Sequence, residues 1–172
     1  MSQRVFGVTG WKNSGKTTLT CKLVEEFTRR GFRVATVKHA HHAFDIDHED
    51  TDSYRHRQAG AAEVVIASGR RWAIMHELGE AKEPSLDDML AKLSPCDLVL
   101  VEGYKRESHP KIEARRLAAS DRARLSENDA SIRAIAADHA VDDATIPVFA
   151  LDDINGIADM IALETGLGET AA

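Results

Sequence analysis

The fold is decided near the start of the chain, by the stretch VFGVTGWKNSGKT at residues 5–17. Its first five residues predict a short buried strand. Residues 16–30 predict an amphipathic helix, because apolar residues recur at every fourth position from Leu19 to Phe27 and a glycine follows the segment. A second strand is predicted at residues 33–37. Strand, helix and strand in this order fit a βαβ unit, in which the two strands form a parallel pair with a right-handed crossover.

The remaining elements extend this pattern. Further strands are predicted at residues 63–67, 72–75, 97–101, 132–137 and 146–149, a short helix from Ser85 to Leu93, and a last helix capped by Asp152 or Asp153. The run at residues 97–101 is typical of a central parallel strand covered on both faces. We therefore expect an α/β protein of the P-loop NTPase class, with a mostly parallel central sheet flanked by helices and a single domain over residues 1–172.

Residues 10–17 carry the chemistry, since they match G-x-x-x-x-G-K-[ST] at every fixed position. Glycines let such a loop turn its backbone N–H groups toward one anion, and the helix N-terminus adds about half a positive charge. Lys16 is expected to reach the β- and γ-phosphates, and the Thr17 hydroxyl to bind magnesium. The alternative is a glycine-rich turn with a solvated lysine, which the flanking strand and helix disfavour.

A second acidic group is expected near the metal. Asp97 opens the apolar strand, but five residues at about 3.3 Å each place it roughly 17 Å from the carboxyl edge where ligands bind. Glu102 lies on that edge and is the better candidate for the magnesium side or for orienting water. Gly103 is expected to offer its N–H to the γ-phosphate. The alternative for Glu102 is a carboxylate that only caps a turn.

The loop at residues 39–48 is rich in histidine and aspartate. Loops in this position commonly sense the nucleotide, and Asp45 or Asp47 is a candidate for the magnesium shell. Lys38, at the strand end, is a candidate for phosphate or base contact. The histidines also suggest a transition-metal site, but we favour the alternative of a solvated polar loop without a metal.

Composition excludes several classes of protein. The 172 residues carry a net charge of −6, which argues against a binder of nucleic acid that works by broad phosphate neutralisation. Cys21 and Cys96 form no C-x-x-C pair, and no apolar run approaches the roughly 18 residues of a membrane span. We expect a cytoplasmic protein without membrane contact.

Four segments, GWKNSGKTTL, VKHAHHAFDID, DSYRHRQAGA and LVLVEGYK, together resemble the MobB family of molybdopterin-guanine dinucleotide biosynthesis adapter proteins. The resemblance spans about residues 5–106. It implies a GTP-binding homodimer with weak GTPase activity that assists the nucleotidyltransferase joining GMP to the molybdenum cofactor. It also implies a phosphate-binding loop at residues 10–18, a Walker B equivalent at Glu102 and Gly103, and a nucleotide-facing loop at residues 38–47.

No N-K-x-D guanine signature exists in the chain. Asp138, after the strand at residues 132–137, is our candidate for a base-reading carboxylate. Lys16 and Glu102 are the expected catalytic residues, and Thr17, Glu102 and Asp47 the expected magnesium ligands. The expected nucleotide-binding residues are Gly10, Lys12, Asn13, Ser14, Gly15, Lys16, Thr17, Thr18, Lys38, Gly103 and Asp138.

Two alternatives stay open. The histidine loop suggests a nickel-type metallochaperone GTPase, weakened by the missing N-K-x-D signature. A small-molecule kinase would need an arginine-rich lid, for which residues 111–124 are a candidate, although they equally fit a strand and a solvated helix. For the adapter, the expected partner contact is the loop at residues 39–52 with Arg55 and Arg57.

Overall fold

The computed structural model describes residues 3–40 and 44–168. The strands are β1 (Val5–Thr9), β2 (Val34–Lys38), β3 (Glu63–Ala67), β4 (Trp72–His76), β5 (Leu98–Glu102), β6 (Lys111–Arg115), β7 (Ile132–Ala137) and β8 (Val148–Ala150). The helices are α1 (Lys16–Arg29), α2 (Asp52–Gln58), α3 (Leu86–Ala91) and α4 (Ile154–Thr165), with a 3₁₀ turn at Leu125–Glu127. Contacts divide the chain into two compact units, residues 40–85 and the remainder. The prediction of a single domain stays a prediction.

The larger unit contains a six-stranded sheet in the order β2-β5-β1-β6-β7-β8. Every pairing recorded within it is parallel, so the predicted α/β class with a parallel central sheet is confirmed. The expected direct pairing of the first two strands is wrong, because β5 lies between β1 and β2 and pairs with both. All five residues of β5 are buried, and a strand that is apolar on both faces is most stable in this central position.

Successive side chains point to opposite faces of the sheet. The two faces are covered by different helices. Phe6 and Val8 of β1 belong to a core that includes residues of α1 and α4. Val99 and Val101 of β5 point to the other face and pack with Leu86 of α3. This alternation fixes the register of β1 and β5, and with it the position of the loop that leaves β1.

Strand β6 was left open by the sequence, as one alternative for residues 111–124, because charged residues interrupt its apolar pattern. Lys111 and Glu113 are buried in it as charged residues. Glu113 accepts hydrogen bonds from the backbone N–H groups of Leu125 and Ser126, which holds the following segment against the sheet. The solvated helix expected after this strand is wrong, since residues 116–124 contain no helix.

The predicted boundaries of the other elements are close to the observed ones. Asp97 lies just before β5, where its carboxylate accepts the backbone N–H of Arg33 at 2.6 Å. Asp153 caps α4 by accepting the N–H of Gly156, as expected.

The smaller unit holds α2 and the antiparallel hairpin of β3 and β4, in which Val65 lies opposite Ile74. In the part of the chain that the structure describes, no helix has the length and apolar character of a membrane span.

Candidate functional site: a phosphate-binding loop

The loop between β1 and α1 needs glycine at its first position. Gly10 has φ of 145°, and a Cβ there would lie 2.4 Å from Ser14 Oγ and 2.5 Å from the carbonyl oxygen of Ala114. Gly15 has φ of 91°, and Asn13 also adopts a left-handed conformation, with φ of 65°. Both glycines of the motif are therefore required by the backbone, which turns tightly enough to enclose an anion.

The N-terminus of α1 is left uncapped. Gly15 is the N-cap residue and supplies no side-chain hydrogen bond, and the first turn contains no acidic residue. Ser14 Oγ is buried and has no hydrogen-bond partner among the described residues. Free N–H groups, an orphaned hydroxyl and the positive end of a helix dipole together suit a phosphate. The residues present therefore fit the phosphates of a nucleotide.

Lys16 already lies along this loop. Its Nζ donates a hydrogen bond to the carbonyl oxygen of Trp11 at 2.7 Å. Burial lowers the pKa of Lys16, and the positive charges of Lys105 and Lys38 act in the same direction, while Glu102 opposes them. The ammonium is thus among like charges that a polyanionic ligand would neutralise.

The structure brings Thr17, Glu102 and Lys38 together, as the sequence predicts. Thr17 Oγ1 donates to Glu102 Oε1 at 2.8 Å, and Lys38 Nζ lies 3.4 Å from the same oxygen. A hydroxyl and a carboxylate side by side next to a phosphate loop are suitable oxygen ligands for magnesium. Gly103 donates its N–H to the carbonyl of Val8, so its expected contact with a γ-phosphate stays a prediction.

Asp138 lines a cleft of about 650 Å³. Gly15, Thr18 and Lys22 line the same cleft. Asp138 accepts hydrogen bonds from the N–H of Leu117 at 3.0 Å and shares one with His139 Nδ1 at 2.8 Å. The hydrogen bond with His139 is the main cause that lowers the pKa of the Asp138 carboxyl, so it is ionised at neutral pH. The structure therefore places the predicted base-reading carboxylate in a cleft shared with the loop.

A second cavity of about 440 Å³ adjoins this cleft, since Arg116 and His139 line both, and it lies beside the segment that follows β6. This segment holds the loop at two points. Ser120 donates its N–H to the carbonyl of Lys12, and the indole Nε1 of Trp11 donates to the carbonyl of Ala123 at 2.7 Å. Lys12 thus has a structural contact through its backbone, while its side chain is exposed.

Two further residues lie near the loop and were not among the expected nucleotide-binding residues. Lys105 Nζ lies 3.8 Å from the centre of the Trp11 ring. Arg116 lies beside Gly15, its Cδ 3.0 Å from the position of an added Cβ. Each follows the carboxyl end of a strand, β5 or β6, and that position was the available signal.

Asp47 belongs to the smaller unit, and its role as a magnesium ligand stays a prediction. Its carboxylate is buried and accepts two hydrogen bonds from Arg57, which also binds Asp45 and Glu77. These hydrogen bonds, with that of Glu77 the strongest, raise the pKa of Arg57. The Arg57 side chain is only 13% exposed, so it offers little surface to a partner, and its expected partner contact stays a prediction.

The histidine loop is described only in part, since His41 and His42 lie outside the described residues. Over residues 3–40 and 44–168, no group of three or more histidine, cysteine, aspartate or glutamate residues is arranged to hold a metal ion.

The chain has a parallel sheet flanked by helices, and a glycine-rich loop leads from β1 into the uncapped N-terminus of α1. These features define the P-loop class of proteins. Within it, the family model of MobB, molybdopterin guanine dinucleotide synthesis protein B, matches residues 5–138. The chain belongs to this family.

Individual relatives agree with this assignment. The chain is 37% identical to the molybdopterin-guanine dinucleotide biosynthesis adapter protein of Escherichia coli (strain K12), over 88% of this chain and 87% of that protein. It is 46% identical to the protein of the same name from Haemophilus influenzae, over 63% of this chain and 61% of the relative. A crystal structure of a MobB homologue from Bacillus stearothermophilus matches with a TM-score of 0.70 and 33% identity, covering 95% of this chain and 99% of the other.

Proposed function

We propose that this chain is a GTP-binding adapter that assists the nucleotidyltransferase attaching GMP to the molybdenum cofactor. The observation that carries the nucleotide part is the contact of Thr17 with Glu102 beside the uncapped N-terminus of α1. The pathway is suggested by family membership and by relatives that are named adapter proteins of molybdopterin-guanine dinucleotide biosynthesis.

In this proposal the residues of the loop bind and orient the phosphates. The backbone N–H groups from Gly15 onward donate to phosphate oxygens, and Lys16 moves from the Trp11 carbonyl to the β- and γ-phosphates. Thr17 and Glu102 hold a magnesium ion, which would neutralise charge on those phosphates. Lys38 stabilises the Glu102 carboxylate from the side of β2.

Hydrolysis by the isolated chain is expected to be slow. Without an arginine supplied to the transferring phosphate, GTP hydrolysis in this chemistry runs on the order of 10⁻² s⁻¹ or below. A slow, nucleotide-dependent state suits a protein that acts through a partner. A small-molecule kinase, in contrast, turns over rapidly with an added acceptor.

Exposed apolar side chains support protein contacts by the smaller unit. Val65, Trp72 and Ile74 share one face of the hairpin and are 61%, 68% and 48% exposed. Phe44 and Ile46, in the loop expected to meet the transferase, are also exposed. Apolar patches of this kind mark protein contacts. We assign the hairpin face to a homodimer and the loop to the transferase.

Base preference tests the nucleotide part of the proposal. We expect GTP to bind more tightly than ATP in the presence of magnesium, because a carboxylate such as Asp138 pairs with the N–H groups of a guanine edge. Asp138→Ala should reduce the preference by about tenfold, equivalent to about 1.4 kcal/mol. The measurement is competition binding of both nucleotides, with Lys16→Ala as a control that loses both. Equal affinity of the wild-type protein for GTP and ATP would contradict the proposal.

A further inference from the structure

A lysine outside the motif lies on the phosphate loop. The ammonium of Lys105 is 3.8 Å from the centre of the Trp11 ring, within the range of a favourable cation–π contact. Trp11 is the second residue of the loop, between Gly10 and Lys12. Lys105 therefore places a positive charge over the loop itself.

The backbone of Lys105 is fixed by an unusual turn. After β5 ends at Glu102, Gly103 and Tyr104 both adopt positive φ, 93° and 46°. A left-handed conformation is costly for an aromatic residue, and it persists only where the surroundings determine it. Lys111, which is fully buried, donates from Nζ to the carbonyls of Lys105 and Glu107. The buried ammonium of Lys111 therefore stabilises this turn.

Trp11 is held from its other side. Its indole Nε1 donates to the carbonyl of Ala123 at 2.7 Å, so that the ring is a fixed platform. Lys105 and Trp11 are each positioned by separate contacts. The contacts of Lys105 hold its backbone, and that of Trp11 holds its ring.

The charges around the loop are unbalanced. Lys16 and Lys105 both contact Trp11: Lys16 donates to its carbonyl oxygen at 2.7 Å, and the Lys105 ammonium lies over its ring. Lys38 Nζ lies 3.4 Å from Glu102 Oε1. Burial lowers the pKa of Lys105, while the charge of Asp121 acts the other way. Like charges gathered in a partly buried site are unfavourable unless an anion joins them.

We propose that Lys105 is a second phosphate-binding lysine, which the turn after β5 supplies to the terminal phosphate of a nucleoside triphosphate. This inference rests on the proposed function, since it assumes that the loop binds a nucleotide. The terminal phosphate is chosen because Lys105 contacts the same residue, Trp11, as Lys16, whose ammonium is expected to serve the β- and γ-phosphates. Lys105 also follows Glu102, the expected magnesium ligand, along the chain. Without a nucleotide, the ring of Trp11 holds the ammonium beside the loop.

The first test compares GTP and GDP. Lys105→Gln should weaken binding of magnesium-GTP about tenfold, as expected for loss of a charged hydrogen bond, and should weaken binding of GDP less. Lys105→Arg keeps the charge and should restore most of the affinity. Lys92→Gln removes an exposed lysine just after α3 and is the matched control, with unchanged affinities expected. Calorimetric titration measures all four proteins.

The second test uses Trp11 as the probe. The chain has two tryptophans, Trp11 and Trp72, so Trp72→Phe leaves Trp11 as the single tryptophan, whose fluorescence is excited selectively over that of tyrosine. Its emission should change on adding magnesium-GTP, when the ammonium leaves the ring for the phosphate. The same addition to a variant that also carries Lys105→Gln should produce a much smaller change at saturating nucleotide.

The outcomes separate this inference from the proposed function. If the wild-type protein binds GTP and Lys16→Ala does not, but Lys105→Gln binds like wild type, Lys105 has no role and the inference fails alone. Equal weakening of GTP and GDP would overturn its assignment to the terminal phosphate. If the wild-type protein binds no nucleotide, both the inference and the proposed function fail.

Discussion

Two carboxylates lie near opposite ends of one strand and have different partners. Glu102, at the carboxyl end of β5, accepts the Thr17 hydroxyl and pairs with Lys38. Asp97, before the amino end, pairs with the backbone N–H of Arg33. At the scale of single residues, position along the strand therefore decides which carboxylate serves the phosphate loop and which only joins two segments.

This difference predicts different effects of two matched amide substitutions. In Glu102→Gln we expect GTP to be retained, while the magnesium concentration for half-maximal binding rises about tenfold, because a ligand of the metal site loses its charge. Asp97→Asn should leave the magnesium dependence unchanged. Titration of GTP binding against magnesium measures both. A magnesium dependence that moves with Asp97 and not with Glu102 would contradict the proposed site.

The sequence predicted the roles of Glu102 and Asp97 because they follow from nearby residues along the chain. The motif at residues 10–17 fixes the loop, and counting along an apolar run distinguishes Glu102 from Asp97. Lys105 and Arg116 were missed, because their approach to the loop depends on turns after β5 and β6 that leave no periodic pattern. Their contacts are long-range, and a single sequence does not encode them in spacing.

At the scale of elements, β1 and β6 meet through a close contact at Gly7. A Cβ on Gly7 would lie 2.5 Å from Nε2 of His109, and the N–H of Gly7 donates to the carbonyl of Pro110. Both ring nitrogens of His109 are buried without a hydrogen-bond partner among the described residues. Burial, with the nearby charge of Lys111, lowers the pKa of His109 to about 4, while Asp129 acts the other way. The imidazole is thus packed against the sheet in its neutral form.

This packing predicts a dependence of stability on pH. An unfolded chain binds the histidine proton near pH 6.5, whereas folded His109 binds it only near pH 4. Between these values the unfolded state holds more protons, so the free energy of unfolding falls as the pH falls. His109→Gln should show a shallower fall over this window. Urea denaturation from pH 7 to pH 4.5 measures the two slopes.

The same pair of proteins supplies the control. At pH 8 the histidine is neutral in both states, so any difference there reports packing alone. Parallel slopes for wild type and His109→Gln between pH 6.5 and pH 4.5 would contradict the account of His109.

The sequence predicts the type and boundaries of some helices and strands better than those of others. Strand β1, helix α1 and strand β5 were predicted nearly to the residue, since their apolar residues follow one period. Strand β6 was left open between two alternatives, because Lys111 and Glu113 interrupt its apolar pattern. Lys111 is neutralised by Asp129, which is distant in sequence, and Glu113 by Arg115 of the same strand. The insertion of β5 between β1 and β2 is a matter of tertiary packing, which local pattern does not determine.

At the scale of the whole molecule, the two units have different surfaces. The larger unit carries the phosphate loop, its clefts and a well-packed core. The smaller unit, residues 40–85, exposes the apolar hairpin face of Val65, Trp72 and Ile74. The proposed adapter role therefore assigns nucleotide binding to the larger unit and protein contact to the smaller one.

We propose that this chain, with a nucleotide bound, assists guanylylation of the molybdenum cofactor. The most direct measurement is the yield of guanylylated cofactor made by the nucleotidyltransferase under limiting GTP, alone, with the wild-type chain and with Lys16→Ala. We predict that the wild-type chain co-purifies with the transferase and raises the yield, and that Lys16→Ala leaves the yield at the level of the transferase alone. The absence of a complex and of any effect on yield, together with rapid phosphorylation of a small acceptor by the isolated chain, would contradict the account and favour a kinase.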